Sequence, residues 1–459
     1  MLGTNQLWTM EGRWAEVSLE MIRSGDYVHP SIYGSPYYDK PLFSYWLMVA
    51  AAWLLGGLTE FAMRLPSALA GIFAIWCMVR LATRLFDEAT GLAAGWVLLS
   101  TTMFMYWGRI ASADMLNLAA VLAAVTWYVE RRDAIRARDY AIFWAILGAG
   151  CLMKGLVAAA ITVVVLAPDL VSEGRWRRHL RPAAFLGVLC GATIYALPFV
   201  VSNLSRGGYA QSGLDMAYEE NLVRYFKAFD HDNPPWIYLK TTPLYLIPWT
   251  PMLAFAAWRL ARSWKSLSWP SRWCAWATAL VFVFMTASSS RRDYYMLPLL
   301  PFAALVTADW LRAAGEGSRR LKVAGWIAAA SVGVGLAWVV LVVPWSMSEG
   351  GMRRLASDVR AVTGPEEREC VLFDAPPDTA FYLAPRASRA TRFIAGEGAR
   401  LSEFVRDHPR VIVVARRRSL AEVAPRMDGR AVVQERWRTP EMWRNPRHEN
   451  ELLVVWVGK

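Results

Sequence analysis

The sequence predicts an all-α polytopic membrane protein with a small α/β domain at its C-terminal end. Hydrophobic residues make up 55% of the 459 residues, and the mean hydropathy is positive. Such an apolar excess is too large for one soluble core. The apolar residues fall in long runs, and arginines collect in the short connectors between them. Both features are typical of membrane spans.

The apolar runs predict about ten transmembrane helices. They cover residues 66–86, 90–107, 111–129, 141–153, 156–171, 183–202, 242–258, 273–288, 294–311 and 323–345. Every second connector is rich in basic residues, and the positive-inside rule places those connectors in the cytoplasm. The other connectors, the segment before residue 66 and the segment after residue 345 are therefore predicted to face the outside.

In this topology the first 65 residues form an extracytoplasmic loop. Phe43–Gly57 is apolar but only 15 residues long, and the charge pattern puts both its ends outside. It is predicted to be an interfacial or re-entrant helix rather than a span. Because neither a signal peptide nor a span precedes the loop, we expect a first transmembrane helix to be missing from this sequence.

Residues 350–459 differ in composition from the rest of the chain. Short strand-like runs alternate there with helical stretches, which predicts a small extracytoplasmic α/β domain. The expected domains are 1–65 for the first outer loop with interfacial helices, 66–345 for the transmembrane core with its outer loop 203–240, and 350–459 for the α/β domain. The C-terminal segment contains no glycine-rich phosphate loop, so the sequence assigns it no chemistry.

The net charge of +12 does not indicate nucleic-acid binding, because the membrane topology explains where the arginines lie. The five cysteines form no closely spaced pair. The sequence therefore predicts neither a disulfide framework nor a metal site built from cysteines.

Unusual polar residues gather in the segments predicted to face outside. Asp114 lies at the top of one span, and Lys154 interrupts a pair of apolar runs. Ionisable groups within or at the edge of a span are costly and need partners. The alternative is an anchor that snorkels to the interface, which suits the long side chain of Lys154 better than the short one of Asp114.

Carboxylates and basic residues on one outer face suit group transfer from a lipid-linked sugar phosphate. Such a donor needs cations that hold its phosphate and stabilise the leaving group. The acceptor needs a nearby carboxylate, either as a base or as a metal ligand. A transporter could use similar charges, but near the membrane midplane between repeats. Here the charges lie on one face, and the sequence shows no internal repeat.

Motifs across residues 5–310 resemble one glycosyltransferase family. They are, in chain order, Glu11–Glu16, Tyr38–Leu42, Arg64–Ser67, Gly108–Asp114, Lys154–Gly155, Glu220–Arg224, Pro248–Trp249 and Tyr295–Pro298. Their order and spacing resemble the 4-amino-4-deoxy-L-arabinose transferase-like glycosyltransferases of the GT-C superfamily, which also contains protein O-mannosyltransferases. The resemblance implies a polyprenyl-phosphate-sugar donor, no nucleotide cofactor, and transfer on the outer face of the cytoplasmic (inner) membrane.

The resemblance implies catalytic roles for two carboxylates, Glu11 and Asp114. The family usually begins its first loop with Asp-Glu-x-Arg, and that Asp is thought to be catalytic. Depending on which flanking residues are aligned, the Asp position falls on Met10 or on Glu11. Glu11 is the favoured acid, and a cap of the following helix is its alternative role. A methionine in the catalytic position would make the chain an inactive relative.

The residues predicted to bind the donor phosphate are Arg13, Lys40, Lys154, Tyr295 and Arg291; the resemblance implies this role for Lys40 and Tyr295. Lys40 matches the lysine of a Glu-Lys pair in the family. Tyr295 matches a tyrosine that contacts phosphate, with a place in the interfacial aromatic belt as the alternative. Arg291 suits a phosphate or a lipid head group.

A divalent metal ion is the one cofactor that the resemblance leaves open, with Asp39 and His231 as its candidate ligands. Asp39 takes the acidic place of the Glu-Lys pair, and a salt bridge with Arg13 is the alternative. His231 lies where the family has a histidine in its long loop. One histidine is a weak signal, because a metal needs several ligands.

Several alternatives stay open from the sequence alone. The acceptor is a lipid, a glycan or a protein, and no motif distinguishes these or identifies the sugar. Outside this enzyme class, the chain could be a transporter or flippase for lipid-linked intermediates. It could also be a catalytically inactive relative that binds or scaffolds.

Overall fold

The computed structural model of the chain is mostly helical and divides into two compact units. Unit 1 comprises Met1–Tyr37, Met48–Met63 and Trp338–Lys459, and unit 2 comprises Tyr38–Leu47 and Arg64–Ala337. The structure describes residues 2–7, 9–172, 174–205, 213–227, 232–315, 317–344, 352–363, 369–375, 378–383, 390–394, 396–408, 410–416, 419, 432–434 and 453–457. His231, a predicted metal ligand, lies outside these residues.

The N-terminal part of the chain contains two short helices and a small ribbon. They are helix α1 (Thr9–Ser24), strands β1 (Ser31–Ile32) and β2 (Ser35–Pro36), and helix α2 (Phe43–Leu54). The two strands pair antiparallel. Helix α2 is an apolar segment of 12 residues at the position of the predicted interfacial helix, and this length is too short for a perpendicular span.

Unit 2 is built from helices. In chain order they are α3 (Glu60–Leu85, which begins in unit 1), α4 (Glu88–Leu99), α5 (Thr102–Trp107), α6 (Ala113–Arg131), α7 (Ala137–Lys154), α8 (Val157–Ser172), α9 (Pro182–Leu204), α10 (Gly213–Tyr218), α11 (Arg224–Phe226), α12 (Ile237–Tyr245), α13 (Thr250–Ser263), α14 (Trp269–Ala287), α15 (Leu300–Arg312) and α16 (Arg319–Ala337). A π-helical turn, Glu219–Val223, joins α10 to α11, and a 3₁₀ segment, Asp293–Leu299, precedes α15.

Within the described residues, four helical segments are long and apolar enough to cross a membrane, and they make the chain a multi-pass membrane protein. They are Glu60–Leu85, Pro182–Leu204, Asp293–Arg312 and Arg319–Val342. The sequence predicted about ten such helices, and some of its apolar runs are interrupted in the structure. The run 90–107 is one example. The hydroxyls of Ser100 and Thr101 donate to the carbonyls of Trp96 (2.6 Å) and Val97 (2.8 Å), which favours the end of α4 at this point.

Helices α7 and α9 pack backbone against backbone. A Cβ atom at Gly148 would lie 2.5 Å from the carbonyl oxygen of Gly191, and one at Gly191 would lie 2.5 Å from the carbonyl oxygen of Trp144. Such an approach requires residues without side chains, as is common where transmembrane helices pack. The crossing holds α7, which ends at Lys154.

The C-terminal part of unit 1 contains a mixed sheet with flanking helices. Its elements are α17 (Met352–Thr363), β3 (Glu369–Phe373), α18 (Asp378–Leu383), β4 (Ala390–Phe393), α19 (Gly398–Asp407), β5 (Val411–Arg416), β6 (Val432–Gln434) and β7 (Leu453–Val457). The strand order is β4-β3-β5-β7-β6. Strand β3 runs parallel to β4 and β5, and β7 runs antiparallel to β5 and β6. Phe373, Leu401 and Val413 belong to the core between this sheet and α19.

Helix α1 buries a carboxylate inside unit 1. Glu16 is 0% exposed, and neither of its carboxylate oxygens has a hydrogen-bond partner among the described residues. Burial, together with the nearby Glu20 and against the opposing effect of Arg23, raises the pKa of Glu16 to about 8. Glu20 also fixes the turn between β1 and β2, because it accepts hydrogen bonds from the hydroxyl of Ser31 and from the amide of Gly34 (3.0 Å).

Candidate active site

A cavity of about 660 Å³ in unit 2 brings several predicted site residues together. Its polar lining includes Asp39, Lys40, Lys154, Glu220, Asn221, Arg224, Ser288, Ser290 and Tyr295. Its apolar lining includes Val157, Ala160, Val163, Val164, Phe199, Leu222, Phe226, Phe284 and Met285. The cavity therefore offers charged groups and a hydrocarbon-like surface to the same ligand.

A chain of ion pairs joins Lys40 to Arg224 through one carboxylate. The Lys40 Nζ atom lies 2.8 Å from Asp39 Oδ1 and 3.7 Å from Glu220 Oε2. The Arg224 Nη1 atom lies 2.5 Å from the same Glu220 oxygen. Burial raises the pKa of Glu220, while Lys40 and Arg224 lower it. Glu220 is thus the shared ion-pair partner of two cations in the cavity.

Lys154 supplies a third cation, at the last residue of α7. It forms an ion pair with Asp114, whose backbone amide donates to the hydroxyl of Ser112 (3.2 Å) at the start of α6. The Lys154 Nζ atom also lies 4.8 Å from the centroid of the Tyr295 ring. The side chains of Lys154 and Asp114 are 18% and 8% exposed. Each of these two polar residues therefore has the partner that a group in an apolar segment requires.

The remaining predicted site residues lie elsewhere. Arg291 donates hydrogen bonds to the backbone carbonyls of Thr286 (3.0 Å) and Asn233 (2.8 Å), and so ties the long loop to the end of α14. Glu11 and Arg13 belong to unit 1, in the first turns of α1. Glu11 is 0% exposed, and Arg13 Nη1 lies 3.5 Å from Tyr37 Oη. The roles of these three residues, like those of the other predicted site residues, stay predictions.

Sequence reasoning missed Glu220, Asn221 and Arg224 as members of the site. They occurred in the motifs that carried the resemblance, but the sequence offered no reason to place them beside Lys40. Lys40 and Glu220 are far apart along the chain, and only the folded structure shows that they meet.

Among the residues that the structure describes, no three His, Cys, Asp or Glu side chains form a cluster that could hold a metal ion. The candidate ligand Asp39 is paired with Lys40. Two carboxylates beside a lysine make a poor donor set, because a divalent metal needs several ligands free of a competing cation.

Comparisons with known proteins identify relatives of the chain. The family model of dolichyl-phosphate-mannose-protein mannosyltransferases matches residues 39–201. The undecaprenyl phosphate-alpha-4-amino-4-deoxy-L-arabinose arabinosyl transferase of Erwinia tasmaniensis is 28% identical over 355 residues, which cover 73% of this chain and 61% of that protein. The Aeromonas salmonicida enzyme of the same name is 29% identical over 342 residues, covering 71% and 60%. The chain thus spans less than two thirds of these curated relatives.

Solved structures with a similar fold include ArnT from Cupriavidus metallidurans bound to undecaprenyl phosphate. The TM-score is 0.72 at 18% identity, over 99% of this chain and 95% of that one. The apo oligosaccharyltransferase of Archaeoglobus fulgidus gives a TM-score of 0.51 at 12% identity, over 90% and 66%. At these identities the comparison establishes the fold, which is the one predicted from the motifs.

Proposed function

Because this chain is an aminoarabinose transferase-like relative with the GT-C fold, we propose that it transfers a sugar from a polyprenyl-phosphate donor to a lipid, glycan or protein acceptor. The observation that carries this proposal is the two-sided lining of the cavity in unit 2. A polyprenyl phosphate has the same two-sided chemistry, since an anionic phosphate is attached to a hydrocarbon chain. Nucleic acid has no hydrocarbon part and does not fit such a lining.

The three cations of the cavity are suited to the donor phosphate. Lys40, Lys154 and Arg224 come from three separate segments, and charge-assisted hydrogen bonds from such groups to phosphate are strong. Val163, Phe199 and Phe284 supply apolar surface for the first isoprene units. The donor would enter the cavity laterally from the surrounding lipid bilayer.

The chemical step is a substitution at the anomeric carbon of the sugar. The acceptor nucleophile attacks C1, the bond between C1 and the phosphate oxygen breaks, and polyprenyl phosphate leaves with the bonding electron pair. The cations that bound the phosphate stabilise its added charge. The proton of the acceptor passes to a carboxylate, and Asp114 is the candidate in unit 2. No step here uses a metal ion.

We also propose the finer topology that the sequence predicted. It has about ten membrane passes in the cytoplasmic (inner) membrane, a site that faces the periplasm, and an extracytoplasmic α/β domain over residues 350–459. The first outer loop is 1–65 and the transmembrane core is 66–345. Ion pairs of Arg84 and Arg175 with Asp133 support it, since they join connectors assigned to one side of the membrane.

The proposal is tested by binding before turnover. Native mass spectrometry of the detergent-solubilised protein measures the Kd for undecaprenyl phosphate and for undecaprenol, which has the same chain without the phosphate. We expect a clear preference for the phosphate, and Lys40→Ala or Arg224→Ala should weaken phosphate binding about tenfold to a hundredfold. The matched control Arg84→Ala removes a half-exposed cation outside the cavity and should bind as the wild type.

Turnover is then measured as transfer of radiolabelled sugar from undecaprenyl-phosphate sugars to acceptors in membranes. A wild-type protein that binds undecaprenol as tightly as undecaprenyl phosphate would refute the proposed donor. Binding without transfer from any donor would favour the inactive-relative interpretation.

A further inference from the structure

Asn221 connects the two chain segments that carry Lys154 and Arg224. Its side-chain oxygen accepts a hydrogen bond of 2.7 Å from the backbone amide of Leu156, two residues after Lys154. Asn221 itself lies in the π-helical turn Glu219–Val223, three residues before Arg224. Turns of this kind are rare and often occur at functional sites.

Gly155 is shaped to receive this contact. It follows the last residue of α7 with a φ angle of +101°, which favours glycine. A Cβ atom at this position would lie 1.9 Å from the side-chain oxygen of Asn221. Any other residue would therefore push Asn221 away or change the path of the turn after Lys154.

The segment around Arg224 is also held from its other side. The hydroxyl of Ser289 donates to the backbone carbonyls of Arg224 (3.1 Å) and Tyr225 (3.0 Å), and the amide of Ser289 donates to Tyr225 (2.8 Å). The Nε atom of Arg224 donates to the hydroxyl of Ser290 (3.3 Å). On this other side, the contact of Asn221 joins the segment that carries Arg224 to the turn after α7.

We propose that Asn221, seated on Gly155, is a positioning residue that sets the spacing between Lys154 and Arg224 and thereby the affinity for the donor phosphate. The inference rests on the proposed function and adds a residue to it. A phosphate that must bond two cations on different segments gains affinity only if both stand at the right distance before it binds. The Leu156 contact gives Asn221 the means to set that distance without itself carrying charge.

Two other roles for Asn221 have to be separated from this one. In the first, its amide donates directly to the phosphate, since Asn221 lines the cavity. In the second, it only stabilises the fold. The Lys154→Ala background tests the first, because an amide that donates directly to the phosphate would still lose its own bond there. The ratio of the Kd values for undecaprenol and undecaprenyl phosphate tests the second, because a loss of general stability lowers both affinities together.

The experiment measures that ratio by native mass spectrometry for the full chain, Asn221→Ala, Gly155→Ala and the double variant. Each single variant should lower the ratio about tenfold, and the double variant should be no worse, since both disturb one contact. Gly174→Ala is the matched control. Gly174 also has a positive φ angle, +62°, but apart from its chain neighbours no atom of the described residues lies within 4 Å of a Cβ there, so its ratio should equal that of the wild type.

A second cycle decides the result even if Gly155→Ala does not fold. It combines Asn221→Ala with Lys154→Ala. A residue that acts by positioning Lys154 has little left to lose in the Lys154→Ala background, so the added effect of Asn221→Ala should be small. A full tenfold further loss there, or an unchanged ratio in Asn221→Ala alone, overturns the positioning role. A wild type without preference for the phosphate overturns the proposed function first and this inference with it.

Discussion

Replacing Glu16 by glutamine should make the protein more stable at alkaline pH and make its free energy of unfolding less dependent on pH. In the folded protein, burial raises the pKa of Glu16 from 4.5 to about 8. An unfolded chain exposes the same carboxyl to water and keeps its ordinary value. The folded state therefore holds a proton between these two values that the unfolded state has lost.

The sign and size of the effect follow from this difference. Below pH 4.5 both states are protonated, and Glu16 is at its most favourable for folding. As the pH rises towards 8, the free energy of unfolding falls, because the unfolded state gains charge that the folded state resists. At about 1.4 kcal/mol per pKa unit, the total loss is about 5 kcal/mol. Glutamine stays neutral throughout, so Glu16→Gln should avoid this loss.

The assay is the unfolding midpoint in detergent, followed by tryptophan fluorescence from pH 5 to pH 9. The midpoints of wild type and Glu16→Gln should converge at the acid end and separate progressively up to about pH 8, with the variant higher. The control Glu403→Gln changes an exposed glutamate and should follow the wild type at every pH. Parallel profiles for the wild type and Glu16→Gln would mean that Glu16 does not carry a proton in the folded state, and would refute the reasoning.

Two further predictions concern packing and the ion pairs of the cavity. Gly148→Leu should destabilise the protein by about 1–3 kcal/mol and lower its unfolding midpoint, because the new Cβ would lie 2.5 Å from the carbonyl oxygen of Gly191. The control is Gly325→Leu, where no atom of the described residues lies within 4 Å of the Cβ apart from its own helix and chain neighbours. Equal midpoints for the two variants would contradict the close crossing. Glu220→Gln should lower the Kd for undecaprenyl phosphate about fivefold, because Lys40 loses an ion pair with Glu220, worth about 1 kcal/mol, that competes with the phosphate. A higher Kd by native mass spectrometry would show that Glu220 assists phosphate binding rather than competing with it.

Sequence patterns predicted well where the physical cause is local. Asp114 and Lys154 stood out because charges in apolar segments need partners, and in the structure each is the partner of the other. The short apolar run after Lys40 was recognised by its length, and α2 is a short helix there. The GT-C fold was predicted from motifs across residues 5–310, whose order and spacing resemble those of the family.

The patterns failed where tertiary contacts decide. Hydropathy cannot show that α4 ends at Ser100 inside an apolar run, because Ser100 is bonded there by distant residues. Its hydroxyl accepts from the indole of Trp249 (3.0 Å), and its carbonyl accepts from the hydroxyl of Ser331 (2.7 Å). Hydropathy also could not place Glu220 beside Lys40, since that pairing depends on how the loop folds over the cavity. The burial of Glu16 could not be predicted either, because a charged residue in a short helix with several charges is expected on its exposed face.

The ion pairs around the cavity bear on how a transferase could release its product. Buried cations without partners are strongly unfavourable, and here Lys40 and Arg224 share Glu220 while Lys154 has Asp114. A phosphate that binds them replaces a carboxylate rather than filling an empty charge site. Its affinity is then the difference between two similar interactions, which is smaller than either one. Polyprenyl phosphate would leave such a site readily after transfer, because the carboxylates return to the cations as it departs.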